Sequence, residues 1–196
     1  SINITTEVRT GLFFQELQDD CAQLHPYAVV MGSQGTTAAQ RTLFGSHTIY
    51  AMKHLQQPMI TVPPGVTFHS IKKIALACDF ENVLTTVPTE EIKMIVNDFN
   101  ASLHIIYTGK KPETDTQVAF GSEMLRSKLK PLDPVFHFIS SDNTNTTIID
   151  YSDAMETDLL ITIPKKHSFP EVLIHRSHTR KMVLFSAVPV MAVHGA

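Results

Sequence analysis

Cysteine is nearly absent. Cys21 and Cys78 are the only two, far apart and without CxxC spacing, which excludes a disulfide framework or a cysteine-built zinc site and leaves two reduced, buried thiols. Blocks of like charge are also missing: 16 basic against 19 acidic residues give a net charge of −3, so nothing steers the surface toward nucleic acid or an anionic membrane. The apolar runs are strand-sized, too short to span a bilayer, and no charged-then-apolar leader is present. The expectation is a cytoplasmic chain with neither nucleic acid nor membrane as a partner. Catalytic signatures are lacking as well. There is no GK[ST] phosphate loop, no GxGxxG fingerprint, no HExxH, no GxSxG and no evident carboxylate or Cys/His pair. A dedicated enzyme is therefore disfavoured, slow ATP hydrolysis being the most that is expected. His175 and His178 stand at i and i+3 on the last long helix but have no third ligand nearby, so no metal is expected.

What the chain does have is enough apolar material for a real core, 43% in 196 residues. Short apolar runs alternate with amphipathic ones. AVVM, MITV, IALAC, LHIIY, VFHFIS, LLITI and VPVMAV read as strands; the intervening stretches, such as Ser46 to Leu55, Glu90 to Phe99, Gln117 to Leu129, Thr147 to Met155 and Val172 to Phe185, read as helices. Ile92, Ile95, Val96 and Phe99 share one helical face, with Thr89 as the expected N-cap. Phe14, Leu17, Cys21 and Leu24 do the same in a helix that His25-Pro26 ends. Continuous apolar strands alternating with helices imply an α/β fold with a mostly parallel sheet covered on both faces. The methionines Met52, Met59, Met182 and Met191 are expected in the core.

The chain also repeats itself. An offset of 131 carries Ser46-His47-Thr48 onto Ser177-His178-Thr179, Pro58 onto Pro189 and Val62 onto Val193 without a gap. Between the copies, the VPPG stretch starting at Val62 breaks regular structure and marks a domain boundary. In the first copy, Gly32, Gly35 and Gly45-Ser46 follow an apolar strand and precede a helix. Lacking Cβ atoms, such glycines let backbone N–H groups converge on an anion beside a helix N-terminus, with Ser46 adding a hydroxyl donor and His47 within reach of a phosphate. In the second copy the glycine positions become Ile163, Lys166 and Arg176, and only Ser177 keeps its identity, so that bay is expected to be closed.

The spacing G-x2-G-x9-G-[ST] at Gly32, Gly35, Gly45 and Ser46, followed by a helix and a P-x-[IV]-x-V strand, resembles the ATP-binding signature of the universal stress protein family. The resemblance implies an open parallel five-stranded sheet, Rossmann-like and ordered 3-2-1-4-5, in a tandem repeat. Residues 1–66 resemble the C-terminal part of a first domain and residues 71–196 a complete second one. It further implies ATP or AMP as ligand, with Mg as an optional companion, the phosphates being held by Gly32, Gln34, Gly35, Gly45, Ser46 and His47. Asp79 matches the family's first-strand aspartate and, with Ser177, marks a second-domain ligand site. In the implied strand order the first domain lacks two strands, so a segment of roughly 70 to 80 residues is expected to precede Ser1 in the full protein. The two final strands, Met59 to Val62 and Val190 to Val193, are expected to pair within the chain, with Met59, Thr61, Val190 and Ala192 at the junction; a homodimer is a further form of association. The alternative reading is a non-nucleotide scaffold or small-ligand-binding stress protein acting through domain association.

Overall fold

The computed structural model describes residues 2–33, 47–80, 83–141, 144–164 and 178–195. Along the chain run α1 (Phe13–Leu24), β1 (Val29–Gly32), α2 (residues 47–54), β2 (Met59–Val62), β3 (Lys73–Ala77), α3 (Val83–Thr86) and α4 (Thr89–Phe99). These are followed by β4 (Ser102–Thr108), α5 (Thr116–Leu129), β5 (Val135–Ile139), α6 (Thr144–Ala154), β6 (Leu159–Thr162), α7 (His178–Phe185) and β7 (Val190–Ala192). Local chemistry sets several boundaries. His25, just before Pro26, adopts a left-handed conformation at φ 46° and closes α1 by donating its N–H to the Cys21 carbonyl at 3.0 Å. Asp115 Oδ1 accepts from Gln117 N at 3.0 Å and Val118 N at 3.3 Å, capping α5.

Three local expectations need correction. Thr89 is not the N-cap of α4 but its first helical residue; Pro88, whose ring already fixes φ, occupies the cap position without a side-chain bond. α6 begins at Thr144, one turn before the expected Thr147. Leu24, placed on the buried face of α1, is 70% exposed because the left-handed turn at His25 leads the chain away there.

The strands form one sheet of seven in the order β1-β2-β7-β6-β3-β4-β5. The α/β class and parallel character are as expected, but the five strands β7-β6-β3-β4-β5 are only part of a larger sheet. All neighbours are parallel except β2 and β7, which run antiparallel with Met59 opposite Ala192, Ile60 opposite Met191 and Thr61 opposite Val190. The offset of 131 maps Ile60 onto Met191, so the register is centred on a residue facing its own counterpart, as a local two-fold requires. The same offset lays α1, β1, α2 and β2 over α6, β6, α7 and β7.

Both faces of the sheet carry helices. On one, Ile92, Ile95 and Val96 of α4 and Val118, Leu125 and Leu129 of α5 pack with Ile74, Leu76, Leu103 and Ile105. On the other, Cys21 of α1, Met52 of α2 and Leu55 just after it, Ile148 and Ile149 of α6 and Val183 of α7 cover Met59, Ala75, Ile106 and Leu160. α5 lies close because Gly121 is a glycine: a Cβ there would sit 2.4 Å from the Phe80 carbonyl oxygen. All four methionines singled out are buried, and both cysteines are buried and free. Cover is incomplete at both edges: at β1, Val29 and Met31 face the second cluster while Val30 is 62% exposed, and at β5 Val135 is exposed.

Met191 is fully buried in the strand that joins the two parts of the sheet. Met191→Ala is therefore expected to lower stability by about 2–5 kcal/mol in a urea titration, whereas Val30→Ala, at the exposed edge, should stay within about 0.5 kcal/mol.

Candidate functional site

The first bay begins where β1 ends. Ser33 continues the parallel ladder by donating its N–H to the Val62 carbonyl at 2.9 Å. Thr48 Oγ1, in the first turn of the described part of α2, donates to the Gly32 carbonyl at 3.1 Å, so the start of that helix is tied against the strand end. Gly32 and the helix carrying His47 are thus brought together. Gln34, Gly35, Gly45 and Ser46 lie outside the described residues. His47 is exposed, with its ring 5.0 Å from that of Phe13, a packing contact independent of any ligand. Ser33 stands out. It is 1% exposed, and among the described residues its hydroxyl has no hydrogen-bond partner, a situation that costs about 1–3 kcal/mol unless something completes it.

At the second candidate site, Asp79 follows β3 and is half-buried, its carbonyl accepting from the Cys78 thiol at 3.0 Å. Ser177 lies outside the described residues. Beside Asp79, Phe80 is buried among aromatic rings, with centroid distances of 4.8 Å to Tyr107 and 5.8 Å to Phe138. Asp79 and Gly32 do not share a site. Four strand spacings separate β1 from β3, roughly 19 Å, and the antiparallel step between β2 and β7 turns their carboxyl ends toward opposite edges of the sheet.

Sequence reasoning missed a polar relay on the sheet face beneath α6. His104 Nδ1 lies 3.0 Å from His137 Nε2, and His137 Nδ1 lies 3.0 Å from the Tyr151 hydroxyl. The two imidazoles stack with centroids 5.3 Å apart. Alternation along LHIIY and VFHFI puts each histidine on a face, but only the β4–β5 register brings the rings together. A hydrogen bond between imidazole nitrogens needs one ring to accept, so double protonation breaks it. Burial pushes both pKa values below the usual range, and for His104 the neighbouring His137 and Lys73 add to it. The folded state therefore resists protons that the unfolded chain accepts near pH 6.5. Stability from this pair should be complete above that pH and decline as pH falls below it. In urea melts at pH 7.5 and 5.5, His104→Gln/His137→Gln should lose less stability on acidification than the parent.

Among the described residues, no group of three or more His, Cys, Asp or Glu is placed to hold a metal ion, and no helix is long and apolar enough to cross a membrane.

No protein-family model and no curated protein matches the chain. Solved structures do. A universal stress protein from Archaeoglobus fulgidus DSM 4304 is similar over 93% of this chain and 65% of its own, with a TM-score of 0.66 and 16% identity. A functionally unknown protein from Pseudomonas aeruginosa PAO1 is similar over 95% of this chain and 69% of its own, with a TM-score of 0.69 and 8% identity. A universal stress protein solved in complex with cAMP is similar over 65% of this chain and 100% of its own, with a TM-score of 0.54 and 14% identity. At these identities the likeness is one of fold: this chain has the α/β fold of the universal stress proteins, and it spans 65% of the length of the Archaeoglobus protein.

Proposed function

We propose that this chain is part of a tandem universal stress protein, a nucleotide-binding module of the stress response that holds the phosphates of ATP or AMP in the bay after β1. The observation that carries the reading is the buried, unpartnered hydroxyl of Ser33, where the strand enters the glycine-bearing segment. A ligand acceptor at this point would complete the hydroxyl. The Thr48 bond to the Gly32 carbonyl supports the same reading by holding the helix start beside that position. Gly32, Gly35 and Gly45 would present backbone N–H groups to the phosphates, and Ser46 a hydroxyl. The residues present therefore fit a nucleotide's phosphate half. That a universal stress protein of the same fold holds cAMP favours adenine nucleotides as the ligand class. Residues 1–66 and 71–196 then act as two units joined through β2 and β7, of which only the first keeps the glycines. No step of chemistry on the nucleotide is assigned.

A second reading, a scaffold acting through association, is favoured by the antiparallel seam of β2 and β7, through which the two parts of the chain already associate. Titration with ATP and AMP, alongside a phosphate-release assay, separates the readings.

Gly35→Val should weaken nucleotide binding at least about tenfold while leaving the melting temperature near that of the parent, since a β-branched residue lacks the backbone freedom such a bay draws from glycine. Ser33→Ala should also weaken binding, by roughly tenfold for one lost hydrogen bond, yet leave the ligand-free protein as stable or more so. Saturable binding that neither change affects would place the nucleotide elsewhere, and the absence of binding by the parent would favour the scaffold.

A further inference from the structure

At the other end of the sheet, the carboxyl ends of the neighbouring parallel strands β4 and β5 open into a cavity of about 430 Å³ lined by Gly109, Lys110, Lys111, Thr114, Ser140 and Ser141. We propose that this cavity is a second ligand site that takes a small phosphomonoester.

The loop that carries the lysines is held in place. Gly109 extends the ladder by donating its N–H to the Ile139 carbonyl at 3.0 Å. Its φ of +150° suits glycine, and the Tyr107 hydroxyl lies 2.6 Å from where a Cβ would stand. Beyond the lysines, Thr114 donates both its N–H and its hydroxyl to the Lys111 carbonyl, each at 3.0 Å. A single 3-10 turn, Pro112–Thr114, then leads into the Asp115 cap of α5. On the facing wall, the Ser141 hydroxyl bonds the Thr147 hydroxyl at 2.6 Å, anchoring that segment to the first turn of α6. A loop fixed on both sides loses little freedom on binding.

Among the described residues, the lining carries two lysines and no acid. Lys110 Nζ is 3.9 Å from Asp115 Oδ2, and the other oxygen of that carboxylate is committed to the α5 cap. At that distance and exposure the ion pair neutralises little. Glu113, the other acid on the loop, is exposed and does not line the cavity. Two ammonium groups and the Ser140 and Ser141 hydroxyls match a phosphate's oxygens and its two negative charges, while the Thr114 hydroxyl is committed to the Lys111 carbonyl. The size of the cavity and the net charge of −3 favour a small metabolite over a polyanion. This site lies at the opposite edge of the sheet from the bay after β1 and does not rest on the nucleotide reading.

The test is an amide NMR titration with glucose 6-phosphate, with glucose as the uncharged control. Expected are saturable shifts at Gly109, Lys110, Lys111, Ser140 and Ser141 with the phosphate ester and none with glucose. Lys110→Ala/Lys111→Ala should bind at least about tenfold more weakly, in line with loss of charge-assisted bonds; both lysines are exposed, so the fold should persist and the remaining amide spectrum report it. Gly35→Val should leave this binding unchanged. Absence of saturable shifts, equal shifts with glucose, or undiminished binding by the double variant would overturn the proposal, as would loss of binding in Gly35→Val.

Discussion

Three residue pairs between β2 and β7 hold the molecule together. A two-stranded ribbon such as β1–β2 is marginal by itself; joined to β7 it becomes part of a seven-stranded sheet. The seam is well made. Met59, Met191 and Ala192 are fully buried, Val190 is 1% exposed, and the Thr61 hydroxyl donates to the Val190 carbonyl at 3.1 Å. Met191 contributes to the core on one face, and Met59, Val190 and Ala192 to the core on the other. A one-residue slip would turn these side chains to the wrong faces, so the register is fixed by burial as well as by hydrogen bonds.

The antiparallel step also governs where chemistry can sit. In parallel α/β sheets, ligands gather beyond the carboxyl ends of the strands. Here those ends point one way for β1 and β2's parallel pair and the other way for β3, β4 and β5. The orphaned Ser33 hydroxyl lies at one edge, and Asp79 and the lysine-lined cavity at the other. Two ligands at these places would share the sheet without sharing a surface, and each could be probed by substitutions that leave the other alone.

Much of this was legible in the chain. The period of Ile92, Ile95, Val96 and Phe99 located α4, apolar runs located every strand, and the gapless offset of 131 foretold which elements would look alike. Those signals are local or self-referential. What stayed hidden depends on pairs remote in sequence. His104 and His137 meet only because β4 and β5 pair in one register, and Lys110 and Lys111 acquire a facing wall only when Ser140 and Ser141 arrive beside them. The misassigned cap at Thr89 has a different origin: Pro88 occupies the cap position, with φ set by its ring and no side-chain bond to the first helical N–H groups. Of the glycine bay, sequence supplied the spacing, and the structure adds the strand end, the Thr48 tie and the unmet need of Ser33.

The seam also imposes an order in time. Strands β3 to β7 pair parallel with one another through connections of moderate length, whereas β2 must find a partner about 130 residues further along the chain. On a ribosome adding roughly 5–20 residues each second, β2 waits on the order of ten seconds for β7 to be made. During that interval β2 can pair with β1, which is already made, but the edge that β7 will occupy stays open. That edge of β2 is thus made early and secured late, which leaves the nascent chain open to misassembly and to chaperone capture there.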